Sequence, residues 1–177
     1  MIFRQVRAGL HGKPFVIYKL KTMRDPKPGE DPIATDALRL TRFGRFLRAT
    51  SLDELPTLWN VLRGDMRIVG PRPLLPEYLE LYNAEQRRRL DVKPGITGWA
   101  QVHGRNNLGW EERLRLDVWY VDHRSLALDI KILMMTAWMV VACRGISAPG
   151  HATSPRFLGT ASSGIRDGST REPCSNP

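Results

Sequence analysis

The sequence predicts an α+β fold: a compact, mostly helical domain with a small β-hairpin or sheet and amphipathic helices suited to an interface. Three observations predict it. Two strand-like runs near the start flank a turn containing Gly9, Gly12 and Pro14. Most of the remaining chain carries apolar residues at helical spacing. The length, 177 residues, is enough for one domain with a real core, assigned to residues 1–160. The Ser-, Gly- and Thr-rich stretch 161–177 reads as a disordered tail.

Residues 3–7 and 15–21 are the two strands of the hairpin. Residues 24–36, rich in Pro and Asp, form a loop. Residues 38–48 read as a short basic helix with Leu40, Phe43, Phe46 and Leu47 as its apolar stripe. The next helix is placed at 51–63, with Ser51 as N-cap and Gly64 beyond its end. Pro56 falls in its first turn, where a missing N–H costs little. Leu52, Leu55, Leu58, Trp59 and Leu62 share one face of it, expected to be buried. At about 100° per residue, Asp53 then points away from that stripe and Glu54 lies about 100° further round.

Ile68-Val69 is a short strand leading into the rigid turn Gly70-Pro71-Arg72-Pro73. Residues 76–90 read as a charged helix ending in Arg87-Arg88-Arg89, a solvated or membrane-facing patch, and Pro94-Gly95 breaks it. Residues 98–102 are assigned to a strand and Gly104-Arg105-Asn106-Asn107 to a polar loop. Residues 110–120 and 126–144 are the last two helices. The longest apolar run, 132–143, is too short to span a bilayer, which takes about 20 residues. It fits either a buried core helix or one lying in a membrane interface, and Trp119, Tyr120 and Trp138 are compatible with the second.

The formal net charge of +9 implies an anionic partner: nucleic acid, an anionic membrane surface or a phosphorylated substrate. The first lacks its usual signs, a base-reading basic helix or a strand with interleaved aromatic and basic residues. Cys143 and Cys174 form no disulfide framework, and the four histidines lack zinc-ligand spacing. Residues 1–14 are too polar for a signal peptide.

The chemistry concentrates in Thr50-Ser51-Leu52-Asp53-Glu54-Leu55-Pro56, followed by Gly64-Asp65-Met66 and the arginine turn. Two carboxylates at a helix start, upstream of a fixed arginine in a basic chain, suit work on phosphates. A carboxylate can attack phosphorus or hold a divalent cation, while arginines carry the substrate's negative charge. Neighbouring helical residues do not face each other, so the pair reads as one principal group with an assistant.

These residues resemble the bacterial sugar transferase family, the monotopic phosphoglycosyl transferases. The resemblance rests on the run Leu52-Asp53-Glu54-Leu55-Pro56-Thr57-Leu58-Trp59-Asn60-Val61-Leu62-Arg63-Gly64-Asp65-Met66 and on Val69-Gly70-Pro71-Arg72-Pro73. Tyr18-Lys19-Leu20-Lys21-Thr22-Met23, Lys93-Pro94-Gly95-Ile96-Thr97-Gly98-Trp99-Ala100-Gln101-Val102 and Gly104-Arg105-Asn106 also match. So does the close, Gly150-His151-Ala152-Thr153 through Phe157 and Gly159, giving similarity over roughly residues 2–159 in consistent order.

The resemblance implies a reaction: transfer of a sugar-1-phosphate from a UDP-sugar to a polyprenyl phosphate, usually undecaprenyl phosphate, with release of UMP. It places Asp53 as nucleophile and metal ligand, with Glu54 as its partner and Mg²⁺ as cofactor. Arg72 and Arg105 are the leading phosphate ligands, and Lys19 and Arg48 follow from the family match. Asp65 and Asp117 are weaker candidates: a turn or capping residue, and a partner for nearby arginines, account for them as well. The implied location is the cytoplasmic face of the bacterial inner membrane, held peripherally or monotopically. Short members begin with a basic and apolar segment that dips into the bilayer. This sequence starts at Met1-Ile2-Phe3-Arg4, just after where that segment would end, so a catalytic domain without it is expected. A competing expectation is a catalytically silent membrane-surface subunit.

Overall fold

The computed structural model describes residues 2–31, 35–104, 108–142, 157 and 159. Arg105, Cys143, Cys174 and the 161–177 tail therefore lie outside the described residues. The architecture is α+β, as expected: short helical segments around two two-stranded sheets.

Strands β1 (Ile2–Ala8) and β2 (Pro14–Leu20) form the expected antiparallel hairpin, with Val6 opposite Val16 and Ile2 opposite Leu20. His11 and Gly12 turn the chain with φ of 53° and 76°, the left-handed region that glycine enters freely. The second sheet pairs β3 (Arg67–Val69) in parallel with β4 (Gly95–Thr97). Backbones meet closely there: a Cβ on Gly95 would lie 2.1 Å from the Gly70 nitrogen, and one on Gly98 2.2 Å from the Gly70 oxygen. The Gly70 N–H donates to Thr97 O at 2.9 Å and the Gly95 N–H to Pro71 O at 2.9 Å. The turn carrying Arg72 is thus clamped where it leaves β3.

Several sequence expectations are corrected. The basic helix expected at 38–48 is two pieces, α1 (Asp36–Arg39) and α2 (Arg42–Ala49). Leu40 bridges to Met23 between them, and the Thr41 hydroxyl accepts from the Gly44 N–H at 2.9 Å to start α2. The buried face of α2 is Gly44 and Leu47, while Phe43 and Phe46 are exposed. Gly44 has no room for a side chain, since a Cβ would sit 1.9 Å from Thr22 O.

The helix expected at 51–63 is a 3-10 segment, Leu52–Thr57, running into a short helix α3 (Leu58–Leu62). Ser51 does not cap it. With φ of 56° and its N–H donating to Arg48 O, Ser51 is the left-handed residue that terminates α2. The expected burial is also inverted. Leu52, Leu55, Leu58, Trp59 and Leu62 all face outward, Leu62 at 79% exposure, while Thr57 and Asn60 are sealed in at 1% and 0%. The reason is the outer side of β2. The Asn60 side chain accepts from the Tyr18 N–H at 3.3 Å and donates to Val16 O at 2.7 Å, and the Thr57 hydroxyl donates to Tyr18 O at 2.8 Å. The main-chain groups of β2 need partners, and only the polar face of the segment supplies them.

Further along, 76–90 is not one helix. A 3-10 segment (Pro76–Glu80) is followed by α4 (Ala84–Arg87), restarted by a capping box between Asn83 and Gln86, then a 3-10 turn at Arg88–Leu90. Residues 98–102 are helical rather than a strand: α5 is Trp99–Val102, and the strand lies just before it. Helices α6 (Trp110–His123) and α7 (Leu126–Val141) close the fold, with Ser125 capping α7 through the Leu128 N–H at 3.2 Å. One core joins Leu74, Tyr78, Tyr82, Leu90, Leu114 and Phe157; a second joins Val69, Val102, Tyr120 and Ile132. Of α7's long apolar run only Ile132 is buried, and Met134, Trp138 and Val141 are exposed. No helix among the described residues is long and apolar enough to cross a membrane.

Candidate active site

The 3-10 segment brings Asp53 and Glu54 against β2 and the clamped arginine turn. Glu54 accepts from the Lys19 ammonium at 2.6 Å and from an Arg72 Nη2 at 3.0 Å, both on Oε1. Among the described residues its other oxygen, Oε2, has no hydrogen-bond partner. Burial pushes the Glu54 carboxyl up, but Arg72 and Lys19 outweigh it and hold the pKa at about 2. Lys19 is pulled below the usual lysine value by burial and by Arg72, against the attraction of Glu54. Arg72 is held above its ordinary value, chiefly by Glu54.

Asp53 is different. Its carboxylate is half-buried and makes no hydrogen bond or ion pair to any described residue. Burial raises its pKa, and so does the charge of Glu54; Lys19, Arg48 and Arg72 oppose them. Arg48 reaches the same neighbourhood from the last turn of α2, its Nε donating to the Thr22 hydroxyl at 3.1 Å. Adjacent carboxylates thus have opposite settings. Glu54 is locked and firmly ionised, while Asp53 is uncommitted and less comfortable as an anion.

The other candidates are placed elsewhere. Asp65 sits in the turn after α3, 3.6 Å from Arg63, and is not among the residues lining the cavity beside Glu54. Asp117 is buried in an ion pair with Arg89, which donates to Asp117 Oδ2 at 3.1 Å from Nε and 2.7 Å from Nη2. Arg89, read from sequence as solvated, is 3% exposed. Its Nη2 also donates to Arg72 O at 2.7 Å and its Nη1 to the Tyr82 hydroxyl at 3.2 Å. The pair therefore supports the main chain of Arg72 from behind. No sequence signal links residues 28 apart in this way.

Sequence reasoning also missed Arg7. It lines a cavity of about 60 Å³ together with Lys19, Glu54 and Arg72. Within a strand it is one arginine among several, and only the fold shows that it lines the same cavity as Arg72.

A family model described as bacterial sugar transferase matches residues 1–143. The chain belongs to the bacterial sugar transferase family. Its expected class, phosphoglycosyl transferase, follows from that membership. An uncharacterized sugar transferase of this family, EpsL of Bacillus subtilis, is 53% identical over 160 residues, covering 90% of this chain and 79% of the relative. The undecaprenyl-phosphate galactose phosphotransferase of Salmonella typhimurium is 41% identical, over 79% of this chain and 33% of its own length. A Caulobacter vibrioides protein named UDP-glucose:undecaprenyl-phosphate glucose-1-phosphate transferase is 44% identical, over 76% of this chain and 54% of its own. The chain thus spans most of one bacterial sugar transferase and between a third and about half of the other two.

Proposed function

We propose that this chain moves a sugar-1-phosphate from a UDP-sugar to a polyprenyl phosphate such as undecaprenyl phosphate, through a covalent intermediate on Asp53. The observation that carries the reading is the asymmetry of the acid pair. An unpartnered, half-buried carboxylate stands beside one that is fixed by two cations. A nucleophile has to be free to bond phosphorus, and its raised pKa marks an anion poorly compensated by its surroundings. A carboxylate oxygen of Asp53 attacks the sugar-bearing phosphorus, the phosphoanhydride bond breaks, and UMP leaves with that electron pair. An oxygen of the lipid phosphate then attacks the same phosphorus and frees the Asp53 carboxylate. No proton transfer is required, because the lipid phosphate is already ionised. Arg72, Lys19 and Arg48 bind and orient the phosphate oxygens, and Arg105 is assigned the same role by the family resemblance alone.

The donor set fits magnesium. Mg²⁺ takes one or two carboxylates and fills its sphere with water and phosphate oxygens. Asp53 and the free Oε2 of Glu54 are the residues to hold it. When bound, it neutralises diphosphate charge that otherwise repels a carboxylate nucleophile.

The lipid substrate implies work at a membrane surface, on the cytoplasmic face where UDP-sugars are found. The outward apolar side chains of α2, of the 52–62 segment and of α7 support contact with that surface. The positive charge favours anionic lipids.

The test is incubation with a panel of UDP-sugars and Mg²⁺ without lipid acceptor. The expected result is near-stoichiometric UMP and a mass increase of one phosphosugar on Asp53. Asp53→Asn abolishes the adduct while keeping the fold. A folded protein that gives no adduct across the panel overturns the covalent mechanism and leaves a silent membrane-surface subunit as the reading.

A further inference from the structure

The cavity beside Glu54 contains more positive charge than the acid pair needs. Arg7 enters it from the end of β1, Lys19 from β2 and Arg72 from the clamped turn, with Ile17 and Leu74 among its apolar walls. Glu54 already satisfies Lys19 and Arg72 through one oxygen. The only side-chain hydrogen bond of Arg7 among the described residues is to a neutral amide, Gln5 Oε1, at 2.5 Å. Among the described residues no carboxylate forms an ion pair with it. Burial and the like charge of Arg72 lower its pKa to about 10, so it stays protonated at neutral pH.

The position of Arg7 is fixed. The N–H of the next residue, Ala8, donates to Leu74 O at 2.9 Å, and Leu74 follows Arg72 by two residues. That bond fastens the strand end bearing Arg7 to the segment bearing Arg72. A half-buried guanidinium opposite another guanidinium destabilises a fold unless something else justifies it. An anion between them removes the repulsion and turns both forks into charge-assisted donors.

We infer that Arg7 and Arg72 together form an oxyanion subsite for a phosphoryl group, with Arg7 a substrate-binding residue of this enzyme. The inference rests on the phosphosugar-transfer reading for its choice of phosphate esters. Two such groups pass through the site, the nucleotide's diphosphate and the acceptor's monophosphate, and both offer the tetrahedral oxyanion that a pair of guanidinium forks recognises. A cavity of about 60 Å³ that opens to solvent is of a size to take a phosphoryl group.

The experiment is calorimetric titration of wild type, Arg7→Gln and Arg7→Lys with inorganic phosphate, UDP and a short-chain prenyl monophosphate, with thermal melts alongside. Arg7→Gln is expected to weaken at least one phosphate ester about tenfold or more, with partial recovery in Arg7→Lys. The ester that weakens identifies which group occupies the subsite. Without ligand, Arg7→Gln is expected to melt at or above the wild-type temperature, since it removes an uncompensated charge; a residue that merely supports the fold gives the reverse. Unchanged affinities for all three probes in a folded Arg7→Gln overturn the inference and leave the transferase reading intact. Arg7-dependent binding of inorganic phosphate, without binding of UDP by wild type, supports the subsite and counts against the UDP-sugar reading. Failure of wild type to bind any probe overturns both.

Discussion

At the scale of single residues, the candidate site treats two neighbouring carboxylates unequally. Glu54 sits at about 2 against an ordinary 4.5 because Lys19 and Arg72 share its Oε1. A depressed folded-state pKa stabilises the fold above the unfolded value, and that stability is lost as pH falls through the folded value. Glu54 therefore supports the fold fully above pH 4.5 and loses its grip as pH drops toward about 2. Glu54→Gln strands two cations and is expected to cost about 3 kcal/mol in urea unfolding at neutral pH. The same variant should lose less stability than wild type between about pH 5 and pH 2, a difference that acid titration of the unfolding midpoint measures. Asp53-Glu54 and the proline-flanked Arg72, which the structure brings together, stand out in the sequence because chemistry-bearing residues there are adjacent or conformationally fixed. Arg7 and the pairing of Asp117 with Arg89 in particular were not legible. Their partners come from distant segments, and no local pattern distinguishes an arginine facing a cavity from one facing water.

At the scale of elements, the sequence shows which residues share a face, but not what that face meets. The stripe of Leu52, Leu55, Leu58, Trp59 and Leu62 was found by periodicity and assigned inward, as apolar stripes usually are. It points outward because the main-chain groups of β2 demand polar partners, and Thr57 and Asn60 provide them. Asn60→Ala leaves the partly buried Tyr18 N–H and Val16 O without those bonds, and about 1–3 kcal/mol of stability should go with them in denaturant titration. Because the same segment carries Asp53, phosphosugar formation should fall even under conditions where the variant stays folded. Gly44 makes a parallel case. Its side of α2 lies against Thr22 O with no room for a methyl group. Gly44→Ala is expected to lower stability by about 2–3 kcal/mol, or to push α2 outward and separate Arg48 from Thr22. A crystal structure of the variant, or chemical-shift changes at Thr22, distinguishes the two outcomes. The hairpin, the β3 strand and the last two helices were readable because turn residues and long periodic runs mark them. The stretch 76–90 was not, because the Asn83–Gln86 capping box that restarts its helix lies in the middle of an apparently continuous charged helix.

At the scale of the whole molecule, two cores hold a scaffold whose surface is unusually apolar in three places. The 16 residues of α7 span about 24 Å, less than the roughly 30 Å of a bilayer's hydrocarbon layer. A helix of that length with one buried face and one apolar outer face suits lying along an interface rather than crossing it. Replacing Trp59 and Leu62 together by Ser should weaken partition onto anionic vesicles about tenfold or more, as read by co-sedimentation. The change should shift the melting temperature little, since both side chains are outside the cores.

The contact between Asn60 and β2 has one more consequence. A two-stranded hairpin leaves its outer strand open, and an open strand is a template on which other chains can pair. Here the side chain of Asn60 offers the donor and acceptor that a neighbouring strand would offer, and Thr57 takes the next carbonyl. The segment that carries Asp53 therefore also covers the open edge of β2, so a change that detaches it both displaces Asp53 and exposes a strand on which a second molecule can pair.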